Sequence, residues 1–264
     1  MIKGKIILPS KAVFKTDRRQ QISATIITKN EETNIARCLK SLDWVDEIVV
    51  VDSFSTDKTE KICRQFKCQF FQSEWLGYGC TKNVAVKHAS HNWILSIDAD
   101  EEVSPALKDR IEKELANPQA VGYRLKRRSF YLGKKIAFCG WQRDYPLRLF
   151  DRRYGAFNDK PIHEGVELAG TISRIEEPLF HYTYPTVQSH ILKMDKYAEL
   201  AAEQAFANGK TASFVGALVR GGVRFFKMYY WQAGFLDGKY GLLLAYNSAF
   251  GVYLKYLKLW EKSR

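Results

Sequence analysis

From Gln21 the chain alternates short apolar runs with stretches whose apolar residues recur every three or four positions. Ile22 to Thr28, ISATIIT, is rich in β-branched residues and reads as a strand. Thr33 to Leu42 places Ile35, Leu39 and Leu42 on one helical face. Glu47 to Asp52, EIVVVD, has the continuous apolar centre of a strand buried on both sides. Asp57 to Phe66 then reads as a helix, Cys68 to Gln72 as a strand, Lys82 to Ala89 as a helix, and Trp93 to Asp98 as a fourth strand. Strands and helices alternating at this spacing predict an α/β fold with a parallel sheet covered by helices on both faces.

The alternation ends after Ser104. Pro105 to Leu115 is a helix with Ser104 as its cap and Pro at its first position. Val121 to Tyr184 is strand-rich and aromatic, with turn signals at Gly133, Gly140, Gly155 and Gly170, and predicts mixed or antiparallel strands that widen the sheet. Beyond Pro185 the pattern is helical again, through Ile191, Met194, Ala198 and Ala201. These shifts divide the chain into an extension over residues 1–20, an α/β domain over 21–185 with halves 21–116 and 117–185, and a helical region over 186–264.

Open parallel sheets bind ligands at the carboxyl ends of their strands. Three polar clusters fall at such ends: Thr28-Lys29-Asn30-Glu31, Asp52 to Asp57, and Asp98 to Glu102. A polar strand end has an ordinary explanation as a helix cap, which suits Asp57. Four acids following a buried strand repel one another unless a cation neutralises them, and their oxygens suit Mg²⁺ or Mn²⁺ shared with substrate phosphates.

Composition adds a charge imbalance. The 264 residues carry 41 Lys and Arg against 29 Asp and Glu, a net charge of +12. Arg124 to Arg153 alone holds ten basic and two acidic residues, and Thr211 to Arg264 eight and two, so these stretches are either ordinary solvated faces or the places where an anionic partner would be met. The five cysteines include no CxxC pair, which excludes a zinc ribbon and points to reduced thiols. Met1 to Gln20 lacks the apolar core of a signal peptide, so a cytoplasmic location is expected.

The runs ATIITKNE, then IVVVDSFSTDKT, then IDADE, in that order and spacing, resemble the nucleotide-sugar half of the family 2 glycosyltransferases. Trp141-x-x-Asp144-x-x-x-Arg148-Leu-Phe150 and Pro161-Ile-His-Glu164 are similar to the branch containing lipopolysaccharide core β-1,4-glucosyltransferases. The closing stretch from Gly234 to Trp260 is similar to the same branch. The resemblance implies a GT-A fold and an inverting, metal-dependent transfer of a sugar, glucose above others, from a UDP-sugar to a lipopolysaccharide core or related glycolipid. Another cell-surface polysaccharide is the alternative acceptor.

By the same resemblance Thr28, Asn30, Glu31, Asp52 and Ser55 would line the nucleotide pocket, Asp52 meeting the uracil. Lys82 and Asn83 would lie near the diphosphate or sugar, Asp98 near the sugar or ribose, and Asp100 on Mg²⁺ or Mn²⁺. Phe54 stands where the family has Gly, so that turn must avoid a positive φ or bear its cost.

An inverting transfer needs a carboxylate to take the acceptor's proton, and Asp144 and Glu164 are both candidates. Asp144 has an alternative as an ion-pair partner of Arg143 or Arg148, and Glu164 as the neighbour that orients His163. His163 is a candidate metal or phosphate ligand. Arg127, Arg128 and Arg148 are candidates for acceptor phosphates.

A nucleic-acid-binding protein is the competing class suggested by the basic charge. No helix-turn-helix, RRM or zinc pattern supports it, and it leaves the acids from Asp98 to Glu102 without a role. Near the C-terminus, the longest uncharged run, Tyr240 to Leu254, has fifteen residues, fewer than the roughly twenty needed to span a bilayer. Phe225, Phe226, Tyr229, Tyr230, Trp231 and Phe235 interleave with Arg220, Arg224 and Lys227, a pattern expected of peripheral attachment to an anionic inner membrane face. Packing of these rings onto the catalytic domain is the alternative.

Overall fold

The computed structural model describes residues 19–158 and 165–264. The expected N-terminal extension, apart from Arg19 and Gln20, lies outside them, as do the candidates His163 and Glu164.

The first half follows the alternation in the sequence: β1 (Ile22–Thr28), α1 (Ile35–Lys40), β2 (Glu47–Asp52), α2 (Thr59–Cys63), β3 (Gln69–Gln72), α3 (Tyr78–His88) and β4 (Trp93–Asp98). Next come β5 (Glu101–Val103), α4 (Pro105–Ala116), β6 (Gly122–Tyr131), β7 (Lys134–Lys135) and β8 (Leu147–Asp151). They are followed by β9 (Gly155–Phe157), β10 (Val166–Leu168) and β11 (Ile172–Tyr184). Three helices close the chain: α5 (Val187–Ala207), α6 (Phe214–Phe226) and α7 (Gly238–Lys262).

One sheet runs in the order β3-β2-β1-β4-β8-β6-β11-β5, with β7 added to β6. The first four strands are parallel. β8 is antiparallel to both neighbours, β6 and β11 are parallel, and β5 is antiparallel to β11. The mixed second half matches its aromatic, turn-punctuated sequence. All seven residues of β1 are buried, as befits its central place. Ile35, Leu39, Leu107 and Ile111 pack on one face of the sheet, and Ala85, Val86 and Phe157 on the other. α4 starts as its sequence requires, with Ser104 Oγ accepting from Leu107 N at 3.2 Å.

Chain order reverses between β1 and β4, since β2 and β3 lie to one side of β1 and β4 to the other. The carboxyl ends of these two strands therefore frame a crevice. Ile27 sits opposite Asp98 in the register, so Thr28 and Asp98 flank it side by side.

β9 and β10 form a separate hairpin beside α3. Asn83, on α3, holds it by exchanging two hydrogen bonds with the backbone of Phe157, at 2.8 and 3.1 Å. A Cβ at Gly155 would stand 1.8 Å from Glu167 O, so only glycine lets the two strands approach. Gly155→Ala should part the hairpin, cost roughly 1–3 kcal/mol, and raise the KM of any ligand that rests on Phe157. A melting curve and initial-rate measurements check this.

Candidate active site

A cleft of about 1040 Å³ opens at the crevice, at the upper end of the range for small-molecule sites. Its floor is Thr28, Asp98, Ala99 and Asp100, and its walls come from β6, β8, the β9–β10 hairpin, β11, α5 and the segment before α3. Among the described lining residues, Lys29, Lys82, Arg124, Arg127, Arg148, Lys193 and Lys196 outnumber Glu31, Asp98 and Asp100. The cleft is thus set up to attract an anion.

The acids after β4 do not act as one cluster. Glu101 begins β5 and points into the core, fully buried, where Arg148 Nη2 donates to it at 2.8 Å and Arg127 Nη1 at 3.3 Å. The same Arg148 nitrogen donates to Asp98, whose other oxygen receives Lys82 Nζ at 2.9 Å. Glu102 turns away to accept from the Tyr182 hydroxyl at 2.8 Å. Mutual repulsion is therefore relieved by arginine and lysine, and among the described residues no three acidic, Cys or His side chains converge on a metal position.

The electrostatics follow from this pairing. Burial raises the Asp98 carboxyl, but Arg148 and Lys82 together hold it well below the ordinary 3.8. Burial of Arg148 opposes its charge, and Asp98 and Glu101 more than compensate, raising it. Glu31 is shifted upward by burial, partly offset by the hydrogen bond it accepts from Asn34 Nδ2 at 2.9 Å.

Asp100 is also on the floor, its side chain mostly buried. His181 Nε2 lies 3.4 Å from its carboxylate and Lys193 Nζ 3.6 Å. Burial raises Asp100, and His181 and Lys193 lower it overall. The His181 ring is oriented by Ser129 Oγ, 3.1 Å from Nδ1, which leaves Nε2 facing Asp100. One carboxylate and one imidazole fit Mg²⁺ or Mn²⁺ when phosphate oxygens and water complete the shell, as these ions prefer. Neither His181 nor Lys193 was marked by the sequence. β11 pairs with β5 across eighty residues of chain, His181 opposite Glu101, and no local spacing records that.

Other expected residues divide. Thr28, Asn30, Glu31, Lys82, Asp98, Asp100, Arg127 and Arg148 line the cleft. Thr28 Oγ1 is buried there with no hydrogen-bond partner among the described residues, and so, outside the lining, is Ser53 Oγ just beyond β2. Asp52 is fully buried and accepts from Ser55 N at 2.8 Å, while Ser55 Oγ in turn accepts from Asn30 N at 2.8 Å. Asp52 and Ser55 thus brace the loop after β1, outside the cleft lining. Both loops bear strain: Asn30, after β1, has φ 57° and Phe54, after β2, φ 55°, the left-handed region that glycine would enter at less cost. Asn83 is committed to the hairpin.

Asp144 pairs with Arg127, which donates from Nε at 2.7 Å, and not with Arg143 or Arg148 as its sequence neighbourhood suggested. The reason is register: the backbone N of Arg127 also donates to Asp144 O at 2.8 Å, bringing the two residues side by side. Arg128 follows Arg127 along β6 but is absent from the lining. Gly165, directly after Glu164, is in it.

Arg148→Met should remove the cation that Asp98 and Glu101 share, leaving Lys82 to one and Arg127 to the other, and lower stability by about 3 kcal/mol, whereas Arg148→Lys keeps the charge on a shorter stem than the one whose Nη2 meets both acids and should cost less. Denaturant titration of the two variants reads the difference.

The glycosyl transferase family 2 model matches residues 23–159. The lipopolysaccharide core biosynthesis glycosyltransferase LpsC of Rhizobium meliloti is 30% identical over 89% of this chain and 93% of its own. An uncharacterised glycosyltransferase of Rickettsia felis is 31% identical over 92% and 90%. Among solved structures, S. aureus TarS 1-349 in complex with UDP-GlcNAc aligns at 15% identity over 88% of this chain and 80% of that one, with a TM-score of 0.46. With its strand-end motifs, its mixed α/β sheet and a family match over more than half its length, the chain belongs to glycosyltransferase family 2.

Proposed function

We propose that this enzyme is an inverting, metal-dependent glycosyltransferase that moves glucose from UDP-glucose to a lipopolysaccharide or lipooligosaccharide core, or to a related glycolipid. The observation that carries this reading is the floor of the cleft. There a buried hydroxyl with no partner among the described residues, Thr28 Oγ1, stands beside an ion-paired Asp98 and the Asp100–His181 pair at the switch point of the sheet. LpsC, whose name places it in lipopolysaccharide core synthesis and which aligns along nearly the whole chain, supports the acceptor class.

In this reading Thr28, Asn30 and Glu31 contact the nucleoside, with Asp52 and Ser55 behind them, bracing their loop or reaching the uracil. Lys82 and Arg148 fix Asp98 so that its carboxylate meets the sugar or ribose in one orientation. Arg124, Lys193 and Lys196 draw in the diphosphate and any acceptor phosphate, as preorganised charge does at a developing anion. A divalent cation on Asp100 and His181 would supply Lewis-acid stabilisation to the departing diphosphate. Sequence proximity also keeps His163 a candidate for that ion or for phosphate.

The acceptor hydroxyl loses its proton to a carboxylate. Asp144 is engaged by Arg127, and Glu164 adjoins the lining residue Gly165; this favours Glu164 as the base and Asp144 as the residue that holds Arg127 toward the acceptor.

UDP release measured over a panel of UDP- and GDP-sugars, with a truncated lipopolysaccharide core as acceptor, should be greatest with UDP-glucose. A preference for a GDP-sugar, or indifference to the core, overturns the assignment. Glu164→Gln should lower kcat by about a hundredfold or more with donor binding unchanged, and Asp144→Asn should act chiefly on the acceptor KM. Normal turnover in both variants removes general-base catalysis by either residue.

Asp100→Ala and His181→Ala should each weaken Mn²⁺ binding, followed by calorimetry in the presence of UDP, and abolish transfer. Full activity of either variant, or of the parent enzyme in EDTA, sinks the metal site.

A further inference from the structure

α6 is packed on one side only. Ala217 and Gly221 are buried, and a Cβ at Gly221 would meet Tyr253 and Ala249 of α7 at 3.1 and 3.2 Å. Among the described residues nothing covers the opposite side. Val219, Val223 and Phe226 recur at helical spacing with 58, 61 and 63% of their surface exposed, and Trp231, in the turn beyond, is 90% exposed. α7 continues the surface. Its residues Tyr246 and Phe250, both exposed, are one helical step from Ala249 and Tyr253, where α6 rests. Isolated exposed apolar side chains are ordinary, but a contiguous apolar face with aromatic rings marks an interaction site.

Charge selects the occupant. From Gly209 to Lys258 the sequence has seven basic residues and a single acid, Asp237. That acid is turned inward, accepting from Ala137 N at 3.0 Å and Phe138 N at 2.8 Å. Arg220, exposed, lies over the Tyr256 ring at 4.4 Å, and Lys227 and Lys239 border the turn that bears Trp231. A second copy of the chain would bring the same basic rim and a net +12 against this one, so self-association on this face is opposed. An anionic bilayer complements both properties, since its headgroups attract the rim and its interfacial layer accepts the rings. None of the described helices is long and apolar enough to cross a membrane, so the contact is superficial.

We propose that the exposed face of α6, the turn through Trp231 and the adjoining side of α7 form a docking surface for an anionic lipid bilayer. α5 packs against α7, where a Cβ at Gly251 would touch Met194 at 2.8 Å, and it lends Lys193, Lys196 and Tyr197 to the cleft. The docked face is thereby joined rigidly to one wall of the site, and a lipid-linked acceptor would approach from the surface on which the enzyme rests. The surface itself does not depend on the identity of donor or acceptor.

The test is co-sedimentation of the full chain with vesicles of phosphatidylcholine alone and of phosphatidylcholine mixed equally with phosphatidylglycerol, with neither donor nor acceptor present. The full chain should bind the mixed vesicles, less so at raised salt, and bind the neutral ones weakly. Phe226→Ser combined with Trp231→Ser should weaken binding by about tenfold or more while the melting temperature and UDP release on a water-soluble acceptor stay near those of the parent. Lys227→Glu with Lys239→Glu, which leaves the apolar face intact, should also weaken it and lessen its salt dependence. Equal binding to both vesicle types, unchanged binding by both variants, or no binding by the parent chain overturns the proposal. So does a stable dimer in sedimentation velocity that Phe226→Ser with Trp231→Ser dissociates.

Discussion

Arg148 reaches from β8 into the interior and satisfies two carboxylates at once, Asp98 at the end of β4 and Glu101 at the start of β5. Its side chain and that of Glu101 are almost fully removed from water. A carboxylate so placed is tolerated only beside a cation that hydrogen-bonds to it, and the reverse holds for the guanidinium. The turn between β4 and β5 therefore adopts this one course, and the backbone N of Asp98 adds a 3.0 Å hydrogen bond to Glu101. Asp98, held by Arg148 and Lys82, and Asp100, met by His181 and Lys193, then lie together on the cleft floor.

The same arrangement ties the two halves of the sheet together. β8 inserts antiparallel beside β4, β6 follows it, and β11 brings β5 back to the far edge. Arg127 extends the ion network along β6 to Asp144, so a wall of the cleft and a candidate acceptor residue share one electrostatic frame with the floor. On the other side of β1, strain serves position. Asn30 and Phe54 are held at positive φ by hydrogen bonds through Ser55, Thr56 and Asp52. Such conformations persist where surrounding bonds overdetermine them.

The C-terminal helices are anchored to this frame by few polar ties. Asp237 caps the exposed backbone N–H groups of Ala137 and Phe138. Tyr131 of β6 receives Asn247 of α7 at 3.1 Å and lies 3.1 Å from His190 Nδ1 of α5. Burial lowers His190 to about 4, so it is neutral at physiological pH and serves this joint as a hydrogen-bonding group. Ile136, Met228 and Leu244 complete the apolar part of the contact. The aromatic residues of the region consequently divide: Phe225 and Tyr229 pack inward, whereas Phe226, Tyr230 and Trp231 remain outside.

The first four strands, the helices between them and the crevice at their ends were legible in the sequence, because hydrophobic period and strand-end polarity are local properties. Thr28, Asn30, Glu31, Lys82, Asp98 and Asp100 were named through the resemblance of their motifs to a known family, Arg127 and Arg148 from their place in a basic stretch, and all of them line the cleft. What each carboxylate faces was not legible. Asp98 to Glu102 read as a set of acids awaiting a cation, and β5 instead sends Glu101 into the core and Glu102 to Tyr182. Asp144 read as a partner of its near neighbours, and strand register gave it to Arg127. His181 and Lys193 became part of the site because β11 and α5 return to it from far along the chain. Local pattern determines which face of an element is buried and where its polar end lies; the pairing of charges depends on register and crossover between distant strands, which the tertiary structure alone decides.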